Sequence, residues 1–116
     1  MDTVKNDLYR LADKELQSAN EKFPLFASSH EAYAVIFEEF DEAREELESL
    51  EYSLDQFWSE VRENSTEETK RKRLENIFEK SINLATEAIQ IAAMARKGIV
   101  SGRREGDLTN GEAKEN

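Results

Sequence analysis

The chain has 116 residues, no cysteine and a formal net charge of −10. This length accommodates one domain and not two, and the lack of cysteine excludes disulfides and thiolate metal sites. The acidic balance argues against a general nucleic-acid binder, which needs a basic surface. The opening residues MDTVKNDLYR do not resemble a signal peptide, and no apolar run reaches the ~20 residues of a membrane helix. We therefore expect a cytoplasmic protein.

A first helix is predicted over residues 3–22, where apolar residues recur at i, i+3 and i+4 spacing. It should end before Pro24, because the residue that precedes proline avoids the helical region. The apolar positions are Val4, Leu8, Leu11, Ala12, Leu16 and Ala19.

A second helix is predicted over residues 29–64. Ser28 and Glu31 form a capping-box pattern at its start. Its apolar residues are separated by gaps of three and four, as in a coiled-coil seam, so we expect them to face the core. They are Tyr33, Ile36, Phe40, Ala43, Leu47, Leu50, Leu54, Phe57 and Val61.

A third helix is predicted over residues 66–100. Asn64 tolerates the left-handed backbone of a helix end, and Ser65 with Glu68 gives a second capping-box pattern. Residues 85–95 are apolar nearly all round and should be the most buried segment. The polar, glycine-containing residues 102–116 are predicted to be a disordered tail.

These elements predict one all-α domain over residues 1–101, a long antiparallel helical hairpin preceded by an N-terminal helix. Charged residues make up 36% of the chain and hydrophobic residues 38%, which is a thin supply for a lone core. Long charged helices with a thin core often pair with another copy, so we expect a helix bundle that is completed by oligomerisation.

Two acidic patterns fall at the same level of this hairpin. Glu39 and Glu42 are three residues apart, as are Glu87 and Gln90. If the turn is centred at residues 64–65, residues whose numbers add to about 129 lie opposite each other. Glu42 then lies opposite Glu87, and Glu39 lies opposite Gln90. Three gathered carboxylates repel unless something positive lies among them. Hard oxygen ligands favour Mg²⁺, with Mn²⁺ as a substitute, and metal-assisted hydrolysis at phosphorus would follow.

Four more residues are candidates for roles at this level. Glu38 could orient or deprotonate a water molecule, and Asn83, Arg96 and Lys97 could contact substrate. Each also has a simpler interpretation: a solvated acid, a structural hydrogen bond, or positive charge that complements the C-terminal end of the helix dipole. Tyr33 and Phe37 could stack on a base, but core packing is the expected role.

Residues 26–42 (FASSHEAYAVIFEEFDE) and 87–96 (EAIQIAAMAR) resemble small MazG-like proteins, often encoded by phages or prophages. This family belongs to the all-α nucleoside triphosphate pyrophosphohydrolases, whose pattern is EExxE on one helix and ExxD on the next. Glu38, Glu39 and Glu42 match the first motif, and Glu87 opens the second. Gln90 stands where the family has aspartate.

The resemblance implies Mg²⁺-dependent hydrolysis of a nucleoside triphosphate to the monophosphate and pyrophosphate, in dimers or tetramers with sites near bundle interfaces. Gln90 and the uninterrupted seam of the second helix favour an alternative, a non-catalytic helical interaction protein that retains the scaffold. The net charge alone would also fit an acidic mimic of nucleic acid.

Overall fold

The computed structural model of the chain consists of three α-helices: α1 (Asp2–Lys22), α2 (Ser29–Arg62) and α3 (Glu67–Thr109). It describes the backbone of residues 2–22 and 25–109 and the side chains of residues 2–20 and 25–102. No strand occurs in these ranges, so the all-α prediction is confirmed. None of the helices described is both long and apolar enough to cross a bilayer.

The start of α2 is capped by Ser28, as predicted. Its Oγ accepts a 3.1 Å hydrogen bond from the Glu31 N–H. The Glu31 carboxylate accepts in return from the Ala27 N–H, at 2.6 Å, and not from Ser28 itself. Both bonds satisfy amide groups that the first turn of a helix leaves without partners.

The turn between α2 and α3 depends on Asn64, whose φ of 56° lies in the predicted left-handed region. The Ser65 N–H donates to Glu60 O and the Asn64 N–H to Val61 O, which is the Schellman pattern of a helix end. Since α3 begins at Glu67, its capping position falls on residue 66 and not on Ser65. The cap is Thr66, whose Oγ1 accepts from the Thr69 N–H, so the predicted Ser65–Glu68 box is wrong by one residue.

At its other end α3 extends beyond the predicted limit near residue 100. The helix runs through Gly102 to Thr109, and the tail predicted from residue 102 therefore begins inside it. Arg and Glu at positions 103–105 have good helix propensity, and no proline follows them. Residues 110–116 of that tail lie outside the described residues.

The chain divides into two compact units, and the first comprises Met1–Glu39 and Ile89–Asn116. Its core is formed by Leu16, Phe26, Ala93 and Met94. Within residues 85–95 only Ala93 and Met94 are buried, while alanines on the opposite side such as Ala92 are exposed. The expectation that this whole segment is buried is therefore wrong, because small side chains do not require coverage all round.

Hydrogen bonds connect the loop before α2 to α3 within this first unit. The Phe26 N–H donates to Ser101 Oγ at 3.0 Å, and the same hydroxyl donates to Lys97 O at 2.8 Å. The Lys97 ammonium lies 4.8 Å from the centre of the Phe26 ring, a cation–π contact. All three side chains are buried.

The second unit comprises Phe40–Ala88. Ser53, only 2% exposed, donates a 2.5 Å hydrogen bond to Asn76 Oδ1. Nearer the turn, Arg73 Nη2 lies 3.0 Å from Glu60 Oε2, and these hydrogen bonds raise the pKa of the guanidinium. Polar contacts thus join α2 to α3 where an apolar core was expected.

Much of the predicted seam of α2 is not buried. Ala43 is buried and Ile36, Leu50 and Phe57 are partly buried. The remaining seam residues are 40–68% exposed, because a single neighbouring helix covers only one side of the seam. They are Tyr33, Phe40, Leu47, Leu54 and Val61. Phe37, also expected in the core, is 42% exposed and stacks on Tyr33 with ring centres 5.8 Å apart.

Candidate metal centre

Three carboxylates come together at the level anticipated from the sequence. One side-chain oxygen from each of Glu39, Glu42 and Glu87 lies within 4.8 Å of the other two. Glu42 is exposed, whereas Glu39 and Glu87 are partly buried. Oxygen-only ligands at this spacing have the chemistry to hold a hard divalent cation.

The Ser53–Asn76 hydrogen bond explains why Glu42 and Glu87 face each other. Glu42 lies eleven residues before Ser53 on α2, and Glu87 lies eleven residues after Asn76 on α3. Eleven residues are close to three full helical turns, so each glutamate projects from the same side of its helix as the hydrogen-bonded residue. Glu39 is one further turn along α2 and shares that side.

This grouping is electrostatically costly by itself. Two like charges about 4.8 Å apart repel by roughly 1–3 kcal/mol, depending on the local dielectric. Arg44, the only base in residues 38–51, forms an ion pair with Asp41 and lies over the Phe40 ring. A positive charge beside the group, from a side chain or from a bound cation, relieves such repulsion.

A cavity of about 540 Å³ lies in the first unit and includes Glu39 in its lining. Glu38 and Gln90 also line it, so three of the sequence-predicted site residues meet there. The remaining lining combines apolar and charged side chains from all three helices and from the loop before α2: Glu15, Ala19, Phe26, Glu31, Val35, Met94 and Lys97.

Lys97 is the cation of this cavity. It is only 4% exposed, and its ammonium is held over the Phe26 ring. Its positive charge would attract an anionic group that enters the cavity, whereas the four carboxylates of the same lining would repel one. Of the predicted substrate-binding residues, Lys97 therefore has the most enclosed position.

The other two predicted substrate-binding residues lie elsewhere. Arg96 is half exposed, and its Nε is 3.5 Å from the Asp13 carboxylate of α1. Asn83 is exposed on α3. Neither residue lines the cavity.

Glu15 and Glu31 line the cavity but were not predicted from the sequence as site residues. Glu15 sits within the apolar stripe of α1, three residues after Ala12 and four before Ala19. A lone charge inside such a stripe is the signal that could have identified it. Glu31 was interpreted only as a capping residue, a role that it also fills.

Comparison of the chain with protein-family models, with curated proteins and with solved structures gives no match. The resemblance to MazG-like pyrophosphohydrolases therefore rests on the motif residues and stays a prediction. The described residues themselves supply a group of three carboxylates, one of which, Glu39, also lines a cavity that contains a buried lysine.

Proposed function

We propose that the protein is a Mg²⁺-dependent hydrolase that converts a nucleoside triphosphate to its monophosphate and pyrophosphate, with Mn²⁺ as an alternative ion. The observation that carries the proposal is the approach of Glu39, Glu42 and Glu87 to within 4.8 Å. Three carboxylate oxygens at this spacing form a ligand set that suits a hard divalent ion.

In this proposal the three glutamates hold the ion, and the amide oxygen of Gln90 takes the place of a fourth acidic ligand. A bound Mg²⁺ would polarise the phosphate oxygens and offset their charge. Glu38 would accept a proton from a water molecule as the water oxygen attacks the α-phosphorus. The bond from this phosphorus to the oxygen that bridges to the β-phosphate would break, and pyrophosphate would leave. Lys97 contributes positive charge to the phosphates from within the cavity.

We also propose how the protein assembles and where it is located. The three helices would form one bundle with α2 and α3 as a long antiparallel hairpin, completed as a homodimer or tetramer in the cytoplasm. The exposed apolar side chains of α2 support the assembly, because a monomer leaves them in water.

A second candidate function is a non-catalytic helical interaction protein. The same exposed apolar side chains favour it, and Gln90 supplies one acidic ligand fewer than the family pattern. In this case the acidic group would be a solvated face, and neither ion nor nucleotide would bind there.

A pyrophosphate-release assay with ribo- and deoxyribonucleoside triphosphates separates the two candidates. We expect turnover with Mg²⁺ or Mn²⁺ and none with chelator. Glu87→Gln should reduce the rate at least ~100-fold, since it removes one ligand charge and keeps the side-chain size. Glu48→Gln, an exposed acid on α2, is the matched control. A folded wild-type protein that turns over no nucleotide in the panel would eliminate the hydrolase proposal.

A further inference from the structure

The second unit has almost no apolar core of its own. Ala43 is the one buried hydrophobic residue among those described between residues 40 and 88. Nine large apolar side chains of the unit are 40–62% exposed, and seven of them form two rows, one on each helix. On α2 they are Phe40, Leu47, Leu54 and Val61, and on α3 they are Leu74, Phe78 and Ile82.

The α2 row has an exact period of seven residues. Ala43, Leu50 and Phe57 form a second row with the same period, and they are buried or partly buried. In a coiled coil, two such rows together make the seam that faces a partner helix. Here the second row is covered within the chain, whereas the side chains of the first row, Phe40 to Val61, are 40–54% exposed. This exposed row, the open row, is the half of the seam that another helix could cover.

The open row is compatible with a copy of itself. Its spacing is symmetric about a point between Leu50 and Glu51. When two copies run antiparallel, Phe40 of each meets Val61 of the other, and Leu47 meets Leu54. A two-fold axis requires this kind of self-complementary surface.

The charge distribution along α2 selects the antiparallel direction. The half from Phe40 to Leu50 has one base, Arg44, among five acids: Asp41, Glu42, Glu45, Glu46 and Glu48. The half from Glu51 to Arg62 has three acids, Glu51, Asp55 and Glu60, and one base, Arg62. Parallel copies would place the two strongly acidic halves side by side, whereas antiparallel copies place each against the weakly charged half, which lowers the repulsion.

We infer that the Phe40–Leu47–Leu54–Val61 row is the contact surface for a second copy of this chain, packed antiparallel across a two-fold axis. The four side chains of this row leave roughly 350 Å² of apolar surface uncovered, which would form the apolar centre of an interface of ~800 Å² per partner. The inference names the surface and its direction, and it holds whether or not the protein hydrolyses nucleotides.

Sedimentation equilibrium without metal or nucleotide tests this surface separately from the proposed chemistry. We expect the wild type to have an even multiple of the 13.4 kDa chain mass. Leu47→Glu and Leu54→Glu should each weaken association at least ~100-fold, because a carboxylate would be buried at the contact. Tyr52→Glu, at an equally exposed residue about 200° around α2 from Leu54, should leave the mass unchanged.

A charge-swap variant tests the direction and remains informative if a single variant unfolds. In an antiparallel pair, Leu47→Glu combined with Leu54→Lys brings opposite charges together, so we expect this double variant to regain the even mass. In a parallel pair the same change sets like charges against each other. A monomeric wild type, equal dissociation by Tyr52→Glu, or a double variant that stays monomeric would each overturn the inference.

Discussion

Ser53 donates a 2.5 Å hydrogen bond to Asn76 Oδ1 from a position where only 2% of the serine is exposed. This bond fixes the offset between α2 and α3 in the second unit. Three turns further along both helices, the same offset brings Glu42 opposite Glu87. The Ser53–Asn76 contact and the acidic group therefore share one register, about 16 Å apart along each helix.

Replacing Ser53 should destabilise the protein. Ser53→Ala leaves the Asn76 oxygen partly buried without its donor, and we expect a loss of about 1–3 kcal/mol of unfolding free energy. Urea unfolding followed by circular dichroism measures this loss. Ser81→Ala is the control, because the exposed Ser81 hydroxyl bonds only to a carbonyl of its own helix, and it should change stability by less than ~0.5 kcal/mol. Equal effects of the two variants would show that the Ser53 bond has no special role.

The left-handed backbone at Asn64 predicts opposite effects of two substitutions. Asn64→Ala should cost about 1 kcal/mol, since a Cβ without a compensating polar side chain is strained at φ 56°. Asn64→Gly should be neutral or slightly stabilising, because glycine adopts this conformation without strain. Thermal melts of both variants provide the measurement, and an alanine variant as stable as the glycine variant would contradict the assignment of Asn64 to the helix end.

Ser101 connects the loop before α2 to α3. Its hydroxyl accepts from the Phe26 N–H and donates to Lys97 O, so Ser101→Ala should leave a buried amide without a partner. We expect a loss of about 1–3 kcal/mol, together with faster hydrogen exchange at the Phe26 amide. Ser101→Thr keeps the hydroxyl and serves as the control for the bond itself. Unchanged exchange at Phe26 in the alanine variant would argue against this tether.

Gln90 offers a gain-of-function prediction. Gln90→Glu adds a negative charge to the cavity lining at constant size, and we expect Mg²⁺ to bind about tenfold more tightly. Gln17→Glu, on the exposed side of α1, adds the same charge elsewhere and should leave affinity unchanged. Isothermal titration calorimetry compares the two, and equal affinities would place Gln90 outside the ion's surroundings.

Local rules predicted much of the fold. The Ser28 cap and the Asn64 turn follow from nearest-neighbour chemistry, and both helix boundaries near them agree with the structure within two residues. Ser65 was misassigned because it takes part in the ending of α2, and α3 begins two residues later at Glu67, which places its cap at Thr66. Adjacent helix-end motifs compete for the same residue, and the sequence pattern does not rank them.

Burial could not be predicted from the apolar pattern. The seven-residue spacing of Leu47 and Leu54 predicts that they lie on the same side of the helix. It does not predict whether that side packs against this chain or against another chain. The level of Glu42 and Glu87 was predictable because it depends only on helical rise and the turn position. The position of Glu15 in the cavity lining was not predictable, because it depends on where α1 packs.

Binding of Mn²⁺ followed by electron paramagnetic resonance tests the central claim most directly, because it needs neither substrate nor turnover. The account predicts one bound ion per chain in the wild type, competed by Mg²⁺ and weakened at least ~10-fold by Glu39→Gln, Glu42→Gln or Glu87→Gln but not by Glu48→Gln. Equal Mn²⁺ affinity of the wild type and the Glu87→Gln variant would contradict it.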